Sequence, residues 1–106
     1  MRYHVDKMAV EEHRKRYIAF VIEDGRTSRQ GMISAIRGVF TSEEYHEYKP
    51  WLTVFDGKKG IVRCWHTGKD IVVQRLGSIM VGGGKVRTLV TSGTIKKAKK
   101  RLYEDE

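Results

Sequence analysis

The chain has 106 residues, 40% of them apolar and 32% charged, which suits one folded domain and is too little for two independent cores. Its formal net charge of +8 comes almost wholly from the second half: residues 1–50 hold nine Lys/Arg against eight Asp/Glu, and residues 51–106 hold twelve against five. No apolar run approaches the roughly 20 residues that span a bilayer, the polar start has no secretory core, and the single cysteine, Cys64, has no internal disulfide partner. A membrane protein is therefore not expected, and a cytoplasmic location is.

Residues 1–15 show no clear period and read as a leader or flexible N-terminus ahead of a single domain over 16–106. The run Tyr17-Ile18-Ala19-Phe20-Val21-Ile22 is β-branched and aromatic and predicts a strand. After the turn-like Glu23-Asp24-Gly25-Arg26, Thr27 and Ser28 can cap a helix whose apolar residues Met32, Ile33, Ile36, Val39 and Phe40 recur at helical spacing. The acidic and aromatic stretch 41–49 is either a loop or a short helix, closed by Pro50. Residues 51–55 predict a second strand, Asp56-Gly57-Lys58-Lys59-Gly60 a tight hairpin turn, and residues 61–66 the return strand. A further helix is expected to present Ile71, Val72, Leu76, Ile79 and Met80, with Gly82-Gly83-Gly84 ending it. Residues 86–90 form a fourth strand, and Ser92-Gly93-Thr94 caps a last helix reaching about Tyr103.

The order β-α-β-β-α-β predicts an α+β protein on the ferredoxin-like (RRM-like) plan, with an added basic C-terminal helix. Both faces of the sheet look apolar. Strand one offers Ile18, Phe20 and Ile22 on one face and Tyr17, Ala19 and Val21 on the other; strand two offers Leu52 and Val54 against Trp51 and Phe55. An antiparallel sheet with one wet face alternates more cleanly, so the second face is expected to lie under the extra helix or under another protein. Trp51 and Phe55 are candidates for a protein interface, with core packing an equal alternative.

The residues with the sharpest chemical pattern lie at the end of the chain. On a helix, Ile95, Ala98 and Leu102 share one side, while Lys96, Lys97, Lys99, Lys100 and Arg101 spread over the rest. Five cations on about two turns suit a phosphate backbone, and if all engage, log K falls with log salt at a slope of about −4. Ser92, Gly93 and Thr94 at the helix start are candidates to hold a phosphate. Lys58, Lys59 and Arg63 form a second basic patch on the hairpin. Lys59-Gly60 matches the opening of a common RNA-recognition strand, but Ile61 and Arg63 occupy the places of its stacking rings, which favours recognition of backbone and shape. No catalytic constellation is apparent. Cys64 and His66 alternate on one strand, and two ligands do not make a metal site; a lone strand cysteine is more often a small core residue. Gly82-Gly83-Gly84 lacks the Lys-Ser/Thr of a phosphate loop.

Four segments in series, Arg16-Tyr17-Ile18-Ala19-Phe20, Pro50-Trp51-Leu52 with Phe55-Asp56, Gly60-Ile61-Val62-Arg63-Cys64, and Ser92-Gly93-Thr94-Ile95-Lys96-Lys97, resemble archaeal ribonuclease P protein component 2 over roughly residues 15–102. The resemblance implies a ferredoxin-like fold and a non-catalytic subunit of a ribonucleoprotein. Its partners would be ribonuclease P RNA, ribonuclease P protein component 3 and other subunits, with precursor tRNA met indirectly. The RNA would remove the 5′ leader of precursor tRNA using magnesium ions, and this chain would bind no cofactor itself. Two other readings share the fold. A free-standing RNA-binding module would bind RNA without a protein partner, and a ligand-sensing ferredoxin-like domain would not need a lysine-rich terminal helix.

Overall fold

The computed structural model describes residues 14–104. The leader reading of residues 1–15 therefore falls almost entirely outside the described residues, apart from Arg14 and from Lys15, which opens the first strand.

The chain runs β1 (Lys15–Glu23), α1 (Arg29–Val39), α2 (Ser42–Tyr48), β2 (Trp51–Phe55), β3 (Lys59–Trp65), a 3-10 turn (His66–Gly68), α3 (Lys69–Leu76), β4 (Met80–Val81), β5 (Gly84–Ser92) and α4 (Ile95–Glu104). The five strands form one antiparallel sheet in the order β2-β3-β1-β5-β4. β1, with the longest apolar run, takes the centre, where both faces can be buried.

Helix starts follow their caps. Ser28 Oγ accepts from the Gly31 amide at 3.0 Å and starts α1. Segment 41–49, left open between loop and helix, is a helix because Thr41 and Glu44 form a capping box: the Glu44 amide donates to Thr41 Oγ1 at 3.0 Å, and the Thr41 amide donates to Glu44 Oε1 at 3.1 Å. Lys49 then turns the chain in the left-handed region (φ 49°) and Pro50 follows.

The core has two parts, one on each sheet face. Ile18, Phe20 and Ile22 of β1 pack with Met32, Ile36 and Phe40 of the α1 region, Val72 and Leu76 of α3, and Leu52, Val62, Cys64 and Val86 of the sheet. The opposite face buries Ala19 and Ile61 under Ala98 and Leu102 of α4, with Tyr17, Val54, Leu89, Val90 and Ile95 around them. The second apolar face is thus covered by the chain's own last helix.

Two expectations need correction. Leu52 and Val54 do not share a face. Leu52 pairs with Val62 and Val54 with Ile61, so the register shifts by one residue at Thr53, and the bulge sends Leu52 into the first cluster and Val54 against the second. The helix expected to carry Ile79 and Met80 stops at Leu76, capped by Gly77. Ile79 is buried outside the helix, and Met80, 75% exposed, belongs to the short strand β4. Gly82 (φ 62°) and Gly83 (φ 85°) make the hairpin from β4 to β5, a turn that needs positive φ at both positions, so they join two strands and do not end a helix.

Candidate nucleic-acid interface

α4 forms because its start is capped and its stripe is apolar. The Lys97 amide donates to Thr94 Oγ1 at 3.3 Å, and the Thr94 amide donates to Ser92 Oγ at 3.2 Å. The Thr94 amide, one of those expected to face a phosphate, is thereby used to close the helix start. Ile95, Ala98 and Leu102 fall at i, i+3 and i+7, with Ala98 and Leu102 fully buried on the sheet. Burying a leucine side chain is worth roughly 1.5–3 kcal/mol, and a small Ala98 lets the helix lie close over Ala19 and Ile61.

Lys96, Lys97, Lys99, Lys100 and Arg101 are all exposed on this docked helix. At 3.6 residues per turn, Lys96 and Lys100 form one outward row and Lys97 and Arg101 another. Like charges at i, i+4 cost an isolated helix about 0.2–0.5 kcal/mol per pair. The first turn carries no acidic residue, although that is where an acid would be favoured. The outer face of α4 is therefore not arranged for helix stability; its effect is a concentrated positive field on one side of the molecule.

The hairpin residues divide. Asp56 Oδ1 accepts from the amides of Lys58 (2.9 Å) and Lys59 (2.7 Å) and fixes the turn. Burial acts to raise the Asp56 carboxyl, but these two amides and the nearby cations outweigh it and hold the group below its ordinary value. Lys59 reaches back to α4, its Nζ donating to Leu102 O at 3.3 Å. Around it, Val21, Arg87, Leu89, Arg101 and Leu102 line a shallow depression of about 250 Å³. Lys58 stays half-buried beside the turn. Arg63 lies toward the other end of the sheet. It is level with Tyr17 of β1, which is itself level with Ser92 of β5, so Arg63 lies in line with the start of α4.

Trp51 and Phe55 part company. The Phe55 ring stacks on Phe20 with centroids 6.2 Å apart and packs against the first core cluster. Trp51 is 53% exposed. Gly60 is required where these rings cross, since a Cβ there would stand 2.7 Å from Phe20 Cζ and 2.6 Å from Val54 O.

The structure adds cations beyond those singled out from the sequence for phosphate contact. Arg87 lies on the α4 face beside Lys59 and Arg101 and pairs with Glu23. The Arg16 guanidinium is 3.8 Å from where a Cβ on Gly93 would sit. The alternation Lys85-Val86-Arg87 was the available signal for Arg87; Arg16 gave none beyond its charge. Cys64 is buried in the first cluster, and burial pushes its thiol up to about 11. His66 sits in the 3-10 turn, off the strand. Among the described residues no three His, Cys, Asp or Glu side chains come together as a metal site.

Fold and surface together define a class, a small α+β protein that lays a polycationic helix over one face of its sheet. No protein-family model matches the chain. Ribonuclease P protein component 2 of Archaeoglobus fulgidus is 36% identical over 99 residues, covering 86% of this chain and 90% of that protein. A chain in the cryo-EM structure of yeast ribonuclease MRP shares the fold, with a TM-score of 0.63 at 13% identity, covering 78% of this chain and 76% of that one. The chain belongs to the ribonuclease P protein component 2 family.

Proposed function

We propose that the chain is a protein subunit of an RNA-based endoribonuclease, ribonuclease P, and that it binds the catalytic RNA through α4 while the RNA performs the cleavage of the 5′ leader from precursor tRNA. One observation carries this reading: five cations stand exposed on a helix that an apolar stripe docks on the sheet. A helix needed only as a cover would be more stable without the Lys96–Lys100 and Lys97–Arg101 repulsions. Family membership supplies the ribonucleoprotein context.

In this reading, Lys96, Lys97, Lys99, Lys100 and Arg101 neutralise phosphates, and Lys58, Lys59, Arg63 and the amides near Ser92, Gly93 and Thr94 extend the surface at either end of α4. Ribonuclease P protein component 3 and further subunits are the protein partners, precursor tRNA is met through the RNA, and magnesium ions serve the RNA catalyst. The strand order β2-β3-β1-β5, with α1 and α3 on one face, supports the ferredoxin-like plan, on which β4 and α2 are additions.

The test is a binding titration of ribonuclease P RNA by the chain together with its partner subunit, at several salt concentrations. The expected log–log slope includes about −4 from α4, and alanine at the five α4 cations makes it shallower by about 0.7–0.9 per charge removed. An unchanged slope, or failure of the chain to recover ribonuclease P RNA from a source extract, overturns the proposal.

A further inference from the structure

A second surface lies beyond α4, where the chain leaves α2 and enters the sheet. Tyr45, His46, Lys49, Pro50, Trp51 and Arg63 line an open depression of about 330 Å³, at the lower end of the roughly 300–1,000 Å³ typical of small-ligand sites. Its composition is two cations, an exposed indole and two further rings, with no carboxylate in the lining. The acids of α2 point elsewhere in part: Glu44 is bound by Arg75 of α3, its Oε2 2.6 Å from Arg75 Nη2, while Glu43 and Glu47 are exposed on the same helix. Among the described residues, no ion pair involves Lys49 or Arg63. One side of the Tyr45 ring is taken, with Arg37 5.3 Å from its centroid. The face of Trp51 is the large apolar surface left open, held in place by the buried Pro50 before it and by the pairing of β2 with β3 behind it.

The register joins this depression to α4. Trp51 is level with Arg63, Arg63 with Tyr17, and Tyr17 with Ser92, so these four side chains stand in one row on the α4 face across β2, β3, β1 and β5. The row ends three residues before Ile95, the first residue of α4. An indole beside a guanidinium is the arrangement that takes an unpaired nucleotide, since every base offers a π-face and every linkage a phosphate. A base within a duplex cannot offer that face. A protein partner would need its own carboxylates placed opposite both Arg63 and Lys49, whereas every RNA linkage brings its phosphate.

We infer that this depression holds an unpaired nucleotide of an RNA strand, with the base stacked on Trp51 and the flanking phosphates met by Arg63 and Lys49, the strand continuing along the row toward α4. The inference rests on the RNA-binding reading above and assigns one part of that surface a preference for single strands.

The chain has two tryptophans, so Trp65→Phe leaves Trp51 as the sole indole emitter. The full-length variant is titrated at low salt with a single-stranded decauridylate and, separately, with a short RNA duplex of equal charge. Saturable quenching of Trp51 by the single strand, with little by the duplex, is the expected result. Trp51→Ala and Arg63→Gln are expected to weaken single-strand binding about tenfold; Trp51→Ala leaves duplex binding within about twofold, and Trp51→Phe restores most of its loss. Alanine at Lys96, Lys97 and Lys100 should weaken both probes. If those α4 substitutions change neither, the parent reading fails. If they weaken both probes while Trp51 emission stays constant to saturation, or if Trp51→Ala binds the single strand like wild type, this inference alone fails. Quenching of Trp51 by the partner protein subunit and not by RNA also overturns it, as does an absence of single-strand binding by the wild type.

Discussion

Lys59 and Leu102, 43 positions apart, are joined by a hydrogen bond from the lysine ammonium to the leucine carbonyl at 3.3 Å. The bond places a cation at the C-terminal end of α4, where unpaired carbonyls and the helix dipole favour one. It also fixes which end of the helix lies over the β2–β3 hairpin. Lys59→Met keeps the aliphatic stem and removes the donor. The expected result is faster amide hydrogen exchange in the last turn of α4 and a loss of about 0.5–1 kcal/mol in global stability. Unchanged protection at residues 100–104 would show that the bond does not hold the helix end.

Leu102→Ala tests the docking itself. Leu102 is 1% exposed among Ala19, Ile61 and Ala98, and large-to-small changes at such sites cost about 2–5 kcal/mol. Urea unfolding should show a lower midpoint, and RNA affinity should fall because the cations are no longer held in one plane.

Lys100→Ala separates charge from fold. The side chain is exposed and stands one turn beyond Lys96. Removing it relieves a repulsion and improves helix propensity, so thermal stability should stay level or rise by about 0.2–0.5 kcal/mol. RNA affinity should fall, and more so at low salt than at high. Loss of stability together with affinity would mean that the lysine is structural.

The Glu44–Arg75 pair predicts a pH dependence. Arg75 donates through Nε (3.2 Å) and Nη2 (2.6 Å) to the two carboxylate oxygens, joining α2 to α3. These side-chain bonds, with the Thr41 amide, hold Glu44 below its ordinary value of 4.5. A carboxyl depressed by folding stabilises fully above the unfolded value, and that contribution is lost as pH falls from there through the folded one. Glu44→Gln should therefore flatten the acid limb of a stability–pH curve and leave the profile above neutrality parallel to wild type. Identical acid limbs would show that the pair adds nothing.

Cys64 should be inert in the folded protein. Its thiol is 1% exposed and pushed up to about 11, so at pH 8 almost none is thiolate. A thiol reagent should label it slowly in buffer and rapidly in urea, and Cys64→Ala should retain RNA binding. Rapid labelling of the native protein would point to opening of the α1–α3 side.

Much of this architecture was legible where the signal is local. The β1 run, the Ser28 cap, the Asp56-Gly57 turn and the amphipathic pattern of residues 95–102 each announce themselves within a few residues. The Thr53 bulge does not, because one inserted residue leaves the composition of a strand unchanged and only the pairing of Leu52 with Val62 and of Val54 with Ile61 reveals it. The apolar period runs on through Ile79 and Met80 past the end of α3, and only Gly77 marks where the helix stops. The two candidate interface rings looked alike in sequence; what separates them is that Phe55 finds Phe20 to stack on, whereas Trp51 stands at an edge strand. The row of Trp51, Arg63, Tyr17 and Ser92 was out of reach for the same reason as the bulge: it depends on register among four strands.

A single ten-residue segment seals the underside of the sheet and also displays the densest cluster of cations. Amputating it would strip Ala19 and Ile61 of their roof and leave a sticky, aggregating protein whose silence toward RNA would be uninformative. Dissecting this surface therefore calls for altering charges one by one on an intact helix.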